Sequence, residues 1–288
     1  MKIIDTTEKM FASFDGMHFD LEKRGVYEMS LEQAVSAMTD EIVAILRGNV
    51  YGIWLYGSVV MDDFRLGWSD IDFVALTDSE ISVDQADRLV MLRQKMQERE
   101  PANPYFRSFE GIIANRQEYC DRAFQRLVYW GTSGQRVTDS YTMDAFARYE
   151  LAVCSRLVCG EVSWPFPEPA KEELVQGVLA HYETIRKYAV QTDGRLYSCG
   201  WLLDIARCIY TLRYGKVISK TAAGLWALDN HIFPEEAALG KTIMIRKNPS
   251  VYREDPDTQK WLSGLGPTVQ KYADVLEKEL QKANEAAL

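Results

Sequence analysis

The stretch that most restricts what this chain can fold into is Tyr51–Leu76, which reads as strand, tight turn, strand. Ile53-Trp54-Leu55-Tyr56 is a short apolar run of β-formers and predicts a buried strand that Gly57-Ser58 stops. Ser69-Asp70-Ile71-Asp72-Phe73-Val74-Ala75-Leu76 predicts a second strand with two carboxylates near its start. Strand side chains alternate, so Asp70 and Asp72 share a face with Cα atoms roughly 7 Å apart, while Ile71 and Phe73 take the other face. Carboxylates so close raise each other's pKa, and a hard divalent cation removes that penalty. Mg²⁺ suits such oxygens and keeps positions open for water and substrate phosphates. Gly57 lets the backbone approach a phosphate, and Ser58 offers an N–H and a hydroxyl. A helix starting there would add its anion-favouring end. Alone, a D-x-D is usually a strand end or capped turn and a Gly-Ser a turn. In this order, with eleven residues between Ser58 and Asp70, the two together point to phosphoryl or nucleotidyl transfer.

The pattern of Gly57, Ser58, Asp70 and Asp72 resembles that of the nucleotidyltransferase superfamily that includes polymerase beta. The resemblance implies a small mixed sheet flanked by helices, a Mg-nucleotide substrate, and transfer of a nucleotidyl group to a hydroxyl with two Mg²⁺ ions. It also implies a third carboxylate on the strand beside the D-x-D strand. Tyr105–Ile113 reads as that strand, with Phe106, Ser108, Glu110 and Ile112 on one face. Taken by itself, Glu110 is an edge or end-of-strand glutamate facing water. The resemblance makes it a metal ligand with Asp70 and Asp72, or the catalytic base.

Around this centre the helical signals are plain. Ser30 followed by Gln33 is a capping box opening a helix to about Arg47, with Gly48 as its C-cap. Val83–Glu98 repeats apolar residues at helical spacing until Pro101 and Pro104. Residues 114–142 form a boundary, with a loop at Gly131-Thr132-Ser133-Gly134-Gln135. Trp130, placed in that loop, is either a substrate-stacking residue or a packing residue at the domain junction. From 143 on every segment reads as helix: Met143–Cys159, Ala170–Gln191, Leu196–Tyr214, a helix capped by Ser219, one opened by Pro234, and Pro256 to the end. Trp164–Pro169 is a rigid connector. The expected class is α+β, a nucleotidyltransferase domain over 1–135 followed by an all-α helical bundle over 136–288. Residues 1–29 receive no role.

The run Leu202–Ala227 is similar to the C-terminal domain of the aminoglycoside (3'')(9)-adenylyltransferases. Arg207, Lys220 thirteen residues later and Trp226 six beyond that carry the likeness. It implies that Arg207 and Lys220 reach the ATP phosphates, that Ser69 contacts the nucleotide, and that Glu110 is the catalytic base. Allowing an insertion, Tyr252 lies near the adenine. The drug-facing turn departs from the family: Gln191–Tyr197 has Asp193 for one acid and Tyr197 for another. Asp193, from this turn, and Trp130, placed with the loop at 131–135, are the expected substrate-binding residues. The residues themselves agree with the likeness. An unpaired Arg207 among apolar positions is costly, and a triphosphate would be its counter-ion. Lys220 stands at the wrong end of a helix for the macrodipole. The plainer alternative is an Arg207–Asp204 pair with a solvated Lys220.

A net charge of −9 and a pI near 5.0 argue against nucleic acid and suit a small cationic acceptor. The five cysteines lack zinc spacing and read as reduced core thiols, and the three histidines form no ligand cluster. There is no signal-peptide core and no apolar run of membrane length, so a cytoplasmic monomer or weak dimer without membrane contact is expected. The expected reaction is Mg-dependent transfer of AMP from ATP to a hydroxyl of an aminoglycoside-type antibiotic of the spectinomycin or streptomycin class, releasing pyrophosphate and conferring resistance. Alternatives are another acceptor (a lincosamide, a metabolite or a protein) or a non-catalytic nucleotide-binding module.

Overall fold

The computed structural model describes residues 29–131, 134–160 and 166–285. Residues 1–28, Thr132-Ser133 and the Trp164-Pro165 start of the connector lie outside them.

The chain begins with helix α1 (Leu31–Leu46), where Ser30 and Gln33 form the expected capping box. Such a cap is worth about 1 kcal/mol. Its C-cap is Arg47, left-handed at φ 52°, rather than Gly48. Strand β1 (Gly52–Tyr56) leads into a tight 3₁₀ turn at Gly57–Val59 and then, after a loop, into β2 (Ile71–Thr77). Helix α2 (Val83–Arg99) starts on a second capping box, Ser82 with Gln85. Strand β3 (Phe109–Asn115) follows; the expected strand over 105–113 starts late because Phe106–Ser108 is a 3₁₀ turn. Asn115 caps a short α3 (Arg116–Asp121), and β4 (Leu127–Gly131) pairs with β5 (Gly134–Thr138).

The sheet order is β5-β4-β3-β2-β1-β6. Only β2 and β3 run parallel; the remaining pairs are antiparallel. One face carries Ile53, Leu55, Ile71, Phe73, Phe109, Ile113 and Trp130, buried against Met38, Ile42, Leu89 and Met96 of α1 and α2. The opposite face carries Trp54, Tyr56, Val74, Leu76, Ile112 and Ala114.

The last strand corrects the expectation of a single helix over 143–159. Helix α4 (Ala145–Cys154) stops at Ser155, which is extended, and β6 (Arg156–Cys159) then pairs with β1. Arg-Leu-Val-Cys becomes a strand because the open edge of β1 satisfies its backbone. The expected boundary at 135/136 falls inside β5, so the sheet-forming chain extends to Cys159. Helix α4 serves both cores: Leu151 packs on the sheet, Phe146 and Tyr149 on the helical bundle.

The bundle comprises α5 (Lys171–Tyr188), α6 (Tyr197–Tyr214), α7 (Lys220–Asp229), α8 (Glu236–Lys247), α9 (Pro249–Tyr252), α10 (Pro256–Ser263) and α11 (Gly266–Glu285). Gly215 closes α6 at φ 63° and Ser219 caps α7, both as expected. The expected final helix from Pro256 is two helices, α10 and α11. Helix α6 is the bundle's axis: Leu202, Leu203, Ile205, Ala206 and Ile209 are fully buried. All five cysteines are free, but only Cys199 and Cys208 are buried, so the reading of five core thiols holds for two. Among the described residues no helix is long and apolar enough to cross a membrane.

Candidate active site

Strand alternation and the parallel register of β2 on β3 build one wall. Asp72 stands opposite Glu110, and both belong to the sheet face that carries Val74 and Ile112. Parallel neighbours lie about 4.8 Å apart, so the two carboxyls are adjacent. Asp70 precedes the strand on the same side. Burial, then Glu150, Asp70 and Glu110, pushes the Asp72 carboxyl well above the usual carboxylate range. Burial raises Asp70 as well, against the pull of Lys220 and Arg93. The Tyr129 hydroxyl donates to Glu110 Oε1 at 3.3 Å.

The turn after β1 fits against this wall. Gly57 has φ 68°, and a Cβ there would meet Asp72 Oδ2 at 2.4 Å, so only glycine lets the turn lie over the carboxylate. The Ser58 hydroxyl donates to the Asp70 carbonyl at 3.3 Å, and Ser69 Oγ accepts from Arg65 N–H at 3.0 Å.

The facing wall comes from the helices. Arg207 of α6 donates to Glu150 of α4 at 2.9 Å and lies 3.7 Å from Asp204. Lys220, the first residue of α7, lies 2.9 Å from Asp204. The result is an alternating row, Glu150–Arg207–Asp204–Lys220. Burial alone would lower the Arg207 guanidinium; Glu150 and Asp204 outweigh it, and its pKa stands above the ordinary value. Burial would raise Asp204, but Lys220 and Arg207 hold it below the usual range. The expected surface pair with a solvated Lys220 is corrected: Asp204 is buried and Arg207 largely so, Lys220 is paired with Asp204, and Arg207 lines the cleft.

Between the walls lies a cleft of about 480 Å³. Gly57, Ser58, Ser69, Asp70, Asp72, Glu110, Arg207 and Lys220 all line it, as the sequence reading expected. Three expected site residues stand elsewhere. Trp130 is 0 % exposed, edge-on to Phe73, and donates its indole N–H to the Leu89 carbonyl at 3.1 Å. It is a strand residue pointing to the far sheet face, which excludes a stacking role; its neighbour Tyr129 reaches the cleft. Tyr252 packs against the helical core, and Asp193 is exposed and accepts from Arg195 and Ser198. Neither lines the cleft.

Four charged cleft residues were missed. Glu150 and Arg246 each stand on the apolar side of a helix, Arg246 seven residues after Leu239 in the row Leu239-Thr242-Ile243-Arg246, and that misplaced charge was the available signal. Asp63 and Asp144 had none beyond turn and cap chemistry.

Among the described residues no three His, Cys, Asp or Glu side chains are grouped around one point. Mg²⁺ commonly takes one or two carboxylates and completes its shell with water and substrate phosphates. The Asp70–Asp72 pair, with Asp70 exposed to the cleft, Asp72 half-buried beside it and the charge of Asp70 among the causes that raise Asp72, fits that mode.

Residues 166–279 match the family model described as aminoglycoside adenylyltransferase, C-terminal domain. No curated protein matches the sequence. Among solved structures, the crystal structure of spectinomycin adenyltransferase AAD(9) from Enterococcus faecialis with ATP and spectinomycin has the same fold. Its TM-score is 0.61 at 16% identity, covering 86% of this chain and 100% of that one. The matched helical domain makes this part of the chain similar to the aminoglycoside adenylyltransferases, and the AAD(9) structure shares its α+β fold.

Proposed function

We propose that the enzyme transfers AMP from ATP to a hydroxyl of an aminoglycoside-type antibiotic, with pyrophosphate as the leaving group. The observation that carries this reading is the meeting, in one cleft, of Asp70, Asp72 and Glu110 from the sheet with Arg207 and Lys220 from the helices. The ATP and spectinomycin named with the AAD(9) structure support the same two ligand classes here.

Asp70 and Asp72 would hold Mg²⁺, which on binding neutralises the nucleotide phosphates and the charge developing at the α-phosphorus. The Gly57–Ser58 turn offers backbone N–H and hydroxyl donors to the triphosphate. Arg207 and Lys220 approach it from the opposite wall. Arg207 has donors to spare for a phosphate while keeping Glu150, because a guanidinium carries five. Ser69 holds the Arg65 backbone and so fixes the loop entering the aspartate pair. Glu110 takes the proton from the acceptor hydroxyl, which attacks the α-phosphorus in line, and Tyr129 orients its carboxylate. The cleft's excess of carboxylates favours a cationic acceptor, and Tyr197 at its mouth is an exposed aromatic face for a sugar ring. The net charge of −9 disfavours nucleic acid as the acceptor in this reading.

The test is pyrophosphate release from Mg-ATP across spectinomycin, streptomycin, other aminoglycosides and lincosamides, with Asp70→Asn as the inactive control. Release with spectinomycin or another aminoglycoside, absent in the variant, is the expected result. A flat panel from protein that binds Mg-ATP would replace catalysis with a binding role.

A further inference from the structure

The loop between the phosphate turn and the aspartate pair carries one side chain that the reaction above does not use. Asp63 is 2 % exposed, and its carboxylate points into the helical lobe. Oδ2 accepts from the Thr221 backbone N–H at 3.1 Å, and Oδ1 accepts the Thr221 hydroxyl at 2.5 Å. Arg246 of α8, also 2 % exposed, donates to Asp63 Oδ2 at 2.9 Å and to the Asp63 carbonyl at 3.2 Å. Its Nε donates to Thr221 Oγ1 at 3.1 Å, and its guanidinium lies 5.5 Å from the Trp68 ring centroid. Both oxygens of the Asp63 carboxylate and the Thr221 hydroxyl therefore have partners within the cluster, and Arg65 Nη2 lies 3.8 Å from Asp63 Oδ1.

Its place in the fold matters more than its strength. Thr221 directly follows Lys220, in the first turn of α7. That turn has backbone N–H groups without helical partners and a positive dipole end, where a lysine is unfavourable. Ser219 caps the helix from its own chain, accepting from Ala222 N–H at 3.3 Å. Asp63 supplies a second cap from the sheet lobe and puts a negative charge where Lys220 needs one. On its own side Asp63 donates its N–H to the Ser58 carbonyl at 3.0 Å, and Ser58 in turn donates to the Asp70 carbonyl at 3.3 Å. A continuous path runs from the Lys220 backbone through Asp63 to the phosphate turn and the aspartate pair.

We infer that Asp63, with Arg246 as its counter-ion, is a positioning residue that sets where Lys220 stands relative to Ser58 and Asp70, and so sets affinity for the nucleotide triphosphate. The inference rests on the adenylyl-transfer reading for the identity of that ligand. A tie that served only to join the lobes would act on stability alone. A tie that places Lys220 must be coupled to Lys220.

The experiment is calorimetric titration of Mg-ATP into the full chain for wild type, Asp63→Ala, Lys220→Ala and the double variant, with circular dichroism to check folding. Each single change is expected to weaken Mg-ATP by about tenfold, and the double by no more than about threefold beyond the weaker single, because an unplaced lysine has little left to lose. If Asp63→Ala does not fold, Asp63→Asn, which keeps an acceptor for the Thr221 N–H and loses the charge, takes its place in the cycle. Affinity unchanged in the Asp63 variant, or losses that multiply in the double, would overturn the inference while leaving the functional reading in place. Wild-type protein that fails to bind Mg-ATP would overturn that reading, and the inference with it.

Discussion

The two walls of the cleft handle charge in opposite ways. On the sheet, Asp70, Asp72 and Glu110 crowd like charges, and burial drives the Asp72 carboxyl up. On the helices, Glu150, Arg207, Asp204 and Lys220 alternate in sign and neutralise one another. The first wall holds a deficit that only a cation from outside can fill. The second balances its own charges, although Arg207 Nε and Asp204 Oδ1 are buried without a hydrogen-bond partner. Removing a charge should therefore have opposite consequences on the two walls, and each of the following outcomes tests that contrast.

The largest effect is expected at Glu110. Glu110→Gln should lower turnover by about 10²–10⁴-fold, the usual worth of a positioned base, with Mg-ATP affinity nearly unchanged. Steady-state rates beside ATP titrations check this, and retained turnover would remove the base from the sheet wall. Next, Arg207→Met leaves Glu150 and Asp204 buried without their shared cation. It should cost about 3–5 kcal/mol in denaturant unfolding, as the loss of one partner of a buried pair does. A smaller loss would mean that the helical wall is less self-contained than its geometry indicates.

Asp72→Asn should move stability the other way. In metal-free protein it should gain about 1–2 kcal/mol while abolishing turnover, the usual trade at a strained site. Its pH dependence has a definite sign. The folded carboxyl titrates above the unfolded one, so the wild type is unpenalised below the unfolded pKa and loses stability as pH rises through the folded value. The variant's gain should accordingly be absent near pH ~4 and grow toward neutrality, measured as the difference in Tm across a pH series. The smallest effect belongs outside both walls. Arg148, with the Ala170 N–H, holds the carboxyl of surface Glu173 down to about 2. Glu173→Gln should cost less than about 1 kcal/mol at neutral pH. That cost is present above the unfolded carboxylate pKa and disappears as pH falls through about 2.

Much of the sheet wall was legible because its determinants are local. Strand alternation puts Asp70 and Asp72 on one face from sequence alone, and Ser30, Gly215 and Ser219 announce their helix ends within a few residues. What could not be read depends on partners distant in the chain. Arg156–Cys159 is too short to signal a strand and becomes one only through β1, a hundred residues earlier. Trp130 was placed in a loop because glycines follow it, yet the β4–β5 hairpin continues through it and turns its ring away from the cleft. Glu150 enters the site because α4 packs across the sheet, which its own ten residues do not state. Arg207 and Lys220 were found through family likeness, since their shared partner Asp204 would equally make a surface pair.

The pairing of β6 with β1 also bears on how the protein is made. A ribosome releases β1 to β5 well before Arg156, so the nascent sheet carries an open edge until α4 and β6 have emerged. Exposed strand edges recruit other chains. Synthesis that stalls in the stretch between Thr138 and Arg156 should yield a fragment prone to self-association, even though it already contains Asp70, Asp72 and Glu110.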